Sequence, residues 1–281
     1  MDKDKVFPDK PNALREIFGR DKVIIGMVHC KPLPGSPHYQ GNMKEAIDTA
    51  IKDAQVLEEA GFDGIQLENA WDIPFSNPRD LSFETSAAMA TVATEVRQEV
   101  SLPMGINVLA NGALVAIAVA ASCDLKWIRC NQWANAYIAN EGFVEGASAR
   151  TLRYRSFLKA DKVKIFADVH VKHGSHTITS DRSVEEQTLD NVFFDADVLI
   201  ATGSRTGDET KTEEISTITS VSKLPVIVGS GLTAENVGRI LPECDGAIVG
   251  TSLKEDGKWW NPVSFERAQR LMVAVRSFRG L

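Results

Sequence analysis

Two glycine-rich turns near the C-terminus have the composition of an anion-binding site. Gly229-Ser230-Gly231 and Gly250-Thr251-Ser252 each follow a short apolar run. Glycine lets backbone N–H groups approach an oxyanion closely, and the hydroxyl groups of serine and threonine add donors. A helix predicted over residues 234–241, with Thr233 as its N-cap, would add the partial positive charge of its first turn. Either turn alone could be a simple tight connection, but together they predict a phosphate-binding site.

Acidic and basic side chains at the ends of other apolar runs supply candidates for proton transfer. Asp168 and His170 stand two residues apart, and Glu68 and Arg129 end two further runs. Alternate residues of a strand point to opposite faces, so the apolar residues between them should face helices and these polar residues should face inward. Carboxylates and imidazoles transfer protons near neutral pH when their surroundings shift the pKa suitably. We therefore predict that Asp168, His170, Glu68 and Arg129 are catalytic.

Further polar residues follow the same runs and are predicted to line the same pocket. All five histidines end or follow one of two predicted strands, at residues 23–29 and 163–169. The glycine-rich loop at residues 201–208 could be a lid, a ligand-contacting turn or a plain surface loop, and it lacks the Gly-Lys-Ser/Thr ending of a nucleotide-binding P-loop. The additional predicted pocket residues are His29, Asn107, Asn131, Lys172, Thr202 and Gly203.

The same donors leave a metal site as an open alternative. Glu68, Asp168, His170 and His29 together offer the mixed nitrogen and oxygen ligands that divalent cations accept. His170, His173 and His176 are spaced by three residues, however, and lack the i, i+4 spacing of a helical zinc pair. No residue is therefore assigned as a metal ligand, and no cofactor is predicted beyond the alternative of a divalent metal.

The elements that must position these residues alternate regularly along the chain. Apolar β-rich runs are predicted as strands at residues 23–29, 64–68, 104–108, 125–129, 163–169, 198–201, 226–229 and 246–249. Amphipathic helices are predicted between and after them, at residues 43–60, 83–100, 112–122, 147–158, 184–194, 213–221, 234–241 and 262–278. Eight such pairs are typical of a (β/α)₈ TIM barrel, in which active sites lie at the C-terminal strand ends and phosphate often binds after strands seven and eight.

The domain organisation follows from this alternation. Residues 23–281 are predicted to form the barrel, and residues 1–22 a short N-terminal extension with a helix at residues 13–18 that covers the barrel base. A doubly wound open sheet is the alternative. It is disfavoured because no Gly-x-Gly-x-x-Gly motif follows the first strand.

Composition limits the partners and the compartment. The 281 residues are 43% hydrophobic and 25% charged, with a formal net charge of −7, which argues against a nucleic-acid partner because such proteins carry basic surfaces. The longest apolar run, residues 113–121, is too short to cross a bilayer, and the first residues lack the apolar core of a signal peptide. Four cysteines without a CxxC pair fit a reduced, cytoplasmic protein. Assembly into a homo-oligomer stays an open alternative.

Five segments together resemble the BtpA/SgcQ family. They are residues 25–29 (IGMVH), 167–173 (ADVHVKH), 202–207 (TGSRTG), 229–237 (GSGLTAENV) and 248–254 (IVGTSLK). The resemblance covers nearly the whole chain and implies a barrel grouped with the ribulose-phosphate-binding barrels. The family takes its name from a cyanobacterial factor for photosystem I biogenesis held peripherally at thylakoids. Related bacterial members sit among genes of sugar transport and metabolism and carry a nucleoside triphosphatase label.

Residues and resemblance together favour an enzyme that acts on a phosphorylated sugar or a nucleotide-like metabolite. The phosphate would bind at the two glycine turns. The catalytic residues would carry out the reaction of a lyase, an isomerase or a hydrolase. Two alternatives stay open, namely a non-catalytic biogenesis or assembly factor and a sensor of phosphorylated metabolites.

Overall fold

Eight parallel strands close into a barrel in the computed structural model, which describes residues 9–203 and 210–281. Together with a two-stranded hairpin, the described residues form ten strands. In chain order, they are β1 (Val23–His29), β2 (Gly64–Glu68), β3 (Met104–Asn107), β4 (Trp127–Cys130), β5 (Ala136–Ala139), β6 (Gly142–Glu145), β7 (Lys164–Asp168), β8 (Val198–Ala201), β9 (Val226–Val228) and β10 (Gly246–Val249). The barrel order is β1-β10-β9-β8-β7-β4-β3-β2, and β5 and β6 form a separate antiparallel pair. The predicted (β/α)₈ TIM barrel is confirmed.

The first helix precedes the barrel strands, and the other helices follow barrel strands or the hairpin and pack outside the barrel. They are α1 (Ala13–Phe18), α2 (Met43–Ala60), α3 (Phe83–Glu99), α4 (Ala113–Ser122), α5 (Ser148–Phe157), α6 (Val184–Phe193), α7 (Thr212–Val221), α8 (Val237–Ile240) and α9 (Phe265–Arg279). The longest, α2, starts at the N-cap Asn42 and ends at Gly61, whose φ of 92° suits a glycine. None of the helices in the described ranges is long and apolar enough to span a membrane.

The helix predicted over residues 234–241 is shorter than expected, and Thr233 is not its N-cap. Helix α8 has four residues and begins after Asn236. The Asn236 side chain accepts from Thr233 N at 2.8 Å and donates to Gly231 O at 2.8 Å. Asn236 N–H also donates to Thr233 O at 3.3 Å, so residues 233–236 form a turn, and the α-helical residues begin only after it.

The barrel interior is a packed core below the mouth. Side chains of alternate strand residues fill it, with Trp127 and Phe166 stacked at 5.3 Å between ring centroids. Gly105 is required beside them, because a Cβ there would stand 2.1 Å from the Trp127 ring. Helix α1 closes the base, where Leu14 is buried and Phe18 packs against Trp127. Whether residues 1–22 form a separate extension stays a prediction, because residues 1–8 lie outside the described ranges.

The hairpin of β5 and β6 was not expected from the sequence. It leaves the barrel after β4 and returns to α5, with Asn140 and Glu141 at its turn. Backbone bonds between Ile138 and Ser175, of 3.0 and 2.7 Å, tie it to the segment that follows β7. The hairpin therefore stands at the C-terminal ends of the strands, where the predicted site residues lie.

Candidate functional site

A cavity of about 270 Å³ opens at the C-terminal ends of the barrel strands. Both glycine turns form one part of its wall, and the ends of β1 to β4 form another. The structure therefore brings together most of the predicted site residues, namely Glu68, Arg129, Gly229, Ser230, Gly231, Gly250, Thr251, Ser252, His29, Asn107, Asn131 and Lys172.

The two turns present backbone closely to the cavity. Gly231 has a φ of 79°, which favours glycine. A Cβ on Gly229 would stand 2.7 Å from Ile200 Cγ2 and 3.2 Å from Arg129 Nη2, so glycine is needed for the close packing of β8 and β4 around it. Residues 251–253 form a 3₁₀ turn that begins with the Leu253 N–H donating to Gly250 O at 3.0 Å. Binding of an anion by the main-chain donors of these turns stays a prediction.

A buried ion pair anchors the second turn to helix α2. Lys254 Nζ lies 2.6 Å from Asp53 Oδ2, and the two side chains are 1% and 5% exposed. The other Asp53 oxygen accepts from Val263 N at 2.8 Å. Burial lowers the pKa of Lys254, against the opposing effect of Asp53. Sequence reasoning missed this pair, because its partners are 201 residues apart.

Arg129 lies at the cavity wall and is held from behind by Asp168. Its Nε and Nη2 donate to the two carboxylate oxygens at 3.0 and 3.1 Å. Asn131 Nδ2 donates to the same carboxylate at 3.2 Å. Burial alone would lower the pKa of Arg129, but the charge and hydrogen bonds of Asp168 raise it on balance. Arg129 is thus a fixed cation whose Nη1 edge is not used by Asp168.

Glu68 and His29 lie side by side in the cavity because their strands pair in register. Glu68 Oε1 is 3.8 Å from His29 Nε2, and Glu68 Oε2 accepts from Asn107 Nδ2 at 2.7 Å. The other ring nitrogen of His29 bonds to Trp259 O at 2.9 Å. The cavity thus contains a carboxylate and an imidazole close to the second glycine turn.

Four predicted residues do not line the cavity. Asp168 lies behind Arg129, and Thr202 is fully buried with its hydroxyl donating to His170 O at 3.1 Å. The His170 ring packs on His176, with centroids 3.8 Å apart, and burial together with the charge of His176 lowers the pKa of His170 to about 4. Gly203 follows Thr202, and most of the predicted loop at residues 201–208 lies outside the described residues. The catalytic roles of Asp168 and His170 stay predictions.

The hairpin contributes cavity residues that sequence reasoning missed. Tyr137, Asn140 and Glu141 all line the cavity. Tyr137 stacks on His176 at 5.5 Å between ring centroids, and Gly174 leaves room for its ring. A signal was present, since Asn140, Glu141 and Gly142 are turn-forming residues that stand between Tyr137-Ile138 and Phe143-Val144, which favour strands.

The described residues do not form a recognisable metal centre. No group of three or more His, Cys, Asp or Glu side chains within the described ranges is arranged to hold a metal ion. The amide oxygens of Asn107 and Asn131 are buried without a hydrogen-bond partner, although both residues line the cavity. Buried acceptors of this kind are costly unless a water or a ligand satisfies them.

Fold and cavity define a (β/α)₈-barrel protein with a polar, glycine-walled site at the C-terminal strand ends. The chain belongs to the BtpA family, whose model matches residues 20–277, as its motifs predict. It is 44% identical over 260 residues to a protein of Pyrococcus abyssi, covering 92% of this chain and 98% of that protein. It is 35% identical over 246 residues to the photosystem I biogenesis protein BtpA of Synechocystis, covering 87% of this chain and 84% of BtpA.

Solved structures show the same fold at low identity. One is (S)-3-O-geranylgeranylglyceryl phosphate synthase from Thermoplasma acidophilum, in complex with its substrate sn-glycerol-1-phosphate. It superposes with a TM-score of 0.57 at 14% identity, over 94% of this chain and 97% of the synthase. At this identity, the likeness shows the fold alone.

Proposed function

We propose that this protein is an enzyme that acts on a phosphorylated small molecule, a sugar phosphate or a nucleotide-like metabolite, in the cavity at the barrel mouth. The observation that carries the proposal is that both glycine turns wall the same cavity as Glu68 and Arg129. An anion-binding turn, a fixed cation and a carboxylate within one small cavity are the parts needed to anchor a phosphate and move a proton.

The role of each group follows from its position. The phosphate binds at Gly231 and Thr251, and Glu68 takes or returns a proton at the reacting carbon or oxygen. Arg129 faces the oxygen on which negative charge develops, and Asp168 keeps its guanidinium in place. Isomerisation, aldol cleavage and hydrolysis all develop such a charge, so the arrangement serves each of them.

Two further observations support a small phosphorylated substrate. At about 270 Å³, the cavity lies just below the range of roughly 300–1,000 Å³ typical of drug-sized ligands. The Thermoplasma synthase, which shares the fold, was solved with sn-glycerol-1-phosphate as its substrate. A ligand of that size fits the volume available here.

The test is a binding screen with paired glycine variants. Sugar phosphates and nucleotides are titrated against the wild-type protein by calorimetry and thermal shift, and then against Gly250→Ala. A Cβ on Gly250 would stand 3.5 Å from His29 Cε1 and from Met27 Cβ, at ordinary contact distance but in cavity space. Gly238→Ala is the control, because its Cβ would meet nothing within 4 Å.

We expect at least one phosphorylated compound to stabilise the wild type and to bind Gly250→Ala about tenfold more weakly or worse, a loss of about 1.4 kcal/mol. Gly238→Ala should bind like the wild type. The proposal fails if no phosphorylated compound in the screen raises the melting temperature of the wild-type protein.

A second candidate is a non-catalytic assembly factor, favoured by the likeness to the photosystem I biogenesis protein BtpA of Synechocystis. A non-catalytic assembly factor would act through a protein partner rather than through turnover. It predicts that a partner is recovered by pull-down from the native host and that Gly250→Ala recovers the same partner in the same amount. Loss of that partner in Gly250→Ala would instead link assembly to ligand binding.

A further inference from the structure

His29 and Glu68 face each other across a short gap in the cavity wall. Strands β1 and β2 place the two residues in register, and His29 Nε2 is 3.8 Å from Glu68 Oε1. The side chains are 9% and 12% exposed, so the cavity is their main opening. The gap is too long for a direct hydrogen bond.

The neighbours of each residue determine what the facing atoms can do. Trp259 O accepts from His29 Nδ1 at 2.9 Å, which places the proton of the neutral ring on Nδ1 and leaves a lone pair on Nε2. Burial and the charge of Lys254 lower the pKa of His29 to about 3, so the ring is neutral at physiological pH. Glu68 is oriented by Asn107 Nδ2, which binds the other carboxylate oxygen. Both facing atoms are therefore acceptors.

Within the described residues, neither facing atom receives a protein hydrogen bond. Two acceptor atoms that face each other can both be satisfied by a cation between them or by a ligand that carries hydrogen-bond donors. The electrostatic surroundings oppose a cation, because Lys254 and Lys172 both disfavour positive charge at His29, Asp53 offsets only part of the effect of Lys254, and the cationic Arg129 shares the cavity. Hydroxyl groups satisfy both acceptors without adding positive charge.

We propose that His29 and Glu68 form an acceptor pair that binds two neighbouring hydroxyl groups of the phosphorylated ligand, one hydroxyl each, and that the hydroxyl bound by Glu68 is the one with which it exchanges a proton. This rests on the proposed function, because the glycine turns anchor the ligand. The pair lies next to the second turn, since a Cβ on Gly250 would stand 3.7 Å from His29 Nε2. The pair thus selects ligands with a vicinal diol close to the phosphate and discriminates against phosphates on unsubstituted carbon chains.

The test compares two phosphates of equal chain length. Glycerol 1-phosphate carries a vicinal diol, and n-propyl phosphate has the same carbons and no hydroxyl. By calorimetry, the wild-type protein should bind glycerol 1-phosphate at least about tenfold more tightly, as expected for two hydrogen bonds of which one is to a charged acceptor. In His29→Leu, this preference should fall to about threefold or less, while n-propyl phosphate binds as before.

The control is His38→Leu, which removes the exposed histidine of the same connecting loop and should keep the full preference. If His29→Leu does not fold, Glu68→Gln tests the same pair, because it removes the charged acceptor. The tautomer is measured separately by ¹⁵N NMR of the His29 ring, which should show the proton on Nδ1 and a neutral ring between pH 5 and pH 8.

The outcomes separate this inference from the proposed function. Equal affinities for the two phosphates in the wild type would overturn the acceptor pair and leave the phosphate site standing. No binding of either phosphate would count against both proposals. A His29 ring protonated on Nε2, or cationic at pH 7, would also overturn the acceptor role.

Discussion

Replacing Asp168 by asparagine distinguishes a positioning role from an acid–base role for this carboxylate. Asp168 makes two hydrogen bonds to Arg129, and the two side chains are 0% and 4% exposed. An acid–base role, as the sequence alone suggests, predicts near-normal folding and ligand binding with loss of turnover. The structure predicts a different result, because Asp168 is the neutralising partner of a buried cation.

The magnitude follows from the burial of the pair. Removing one partner of a buried ion pair typically costs about 3–5 kcal/mol, because the other charge stays buried without compensation. Asparagine keeps one acceptor for Arg129, and Arg129 also borders the cavity, so the lower end applies. We expect Asp168→Asn to lower the free energy of unfolding by about 3 kcal/mol and to weaken phosphate-ligand binding, because the guanidinium loses its support.

Urea denaturation followed by tryptophan fluorescence measures this cost in two backgrounds. The matched background is Arg129→Met, which removes the charge but keeps a long side chain. There, Asp168→Asn should cost less than about 1 kcal/mol, since no buried cation remains to be neutralised. A cost below about 1 kcal/mol in the wild-type background, with ligand affinity unchanged, would refute the positioning role and restore the acid–base role.

Two further predictions concern the barrel core and acid stability. Gly105→Ala should destabilise the fold by about 3 kcal/mol, because its Cβ would overlap the Trp127 ring; a melting temperature equal to that of wild type would contradict this packing. The pKa of His170 is lowered to about 4 in the folded protein, against about 6.5 when unfolded. Between these values the unfolded chain binds more protons, so stability should fall as the pH drops from about 6.5 towards 4. The decline should be shallower in His170→Phe, and equal pH profiles would argue against this contribution.

The barrel could be predicted from the sequence because its strands are buried on both sides. Val198–Ala201 is apolar throughout, and a run of this kind between amphipathic helices has few other structures available to it. Helix α2 was predictable to the residue, since Asn42 and Gly61 mark its ends chemically. Such local signals do not depend on distant parts of the chain.

The parts that could not be predicted depend on partners far away in sequence. Thr233 is a residue type that favours N-caps, but residues 233–236 form a turn and the α-helix begins only at Val237. In the sequence, Lys254 is indistinguishable from a surface lysine, and only the folded structure shows Asp53 beside it. Helix propensity and charge are properties of a single residue. The start of helix α8 and the burial of Lys254 depend on the surrounding structure.

The alternation of strand residues predicted which side chains point into the barrel, but not which of them reach the cavity. This difference separates the two candidate carboxylates, Asp168 and Glu68. Asp168 and Glu68 both point inward from their strands, as alternation requires. At the end of β7, however, Asp168 is covered by the Arg129 guanidinium, while at the end of β2 Glu68 keeps one oxygen facing His29 across the cavity. The carboxylate whose charge is already neutralised by a buried cation is the weaker base. This contrast supports the proposal that Glu68 transfers the proton and that Asp168 acts through the cation that it holds.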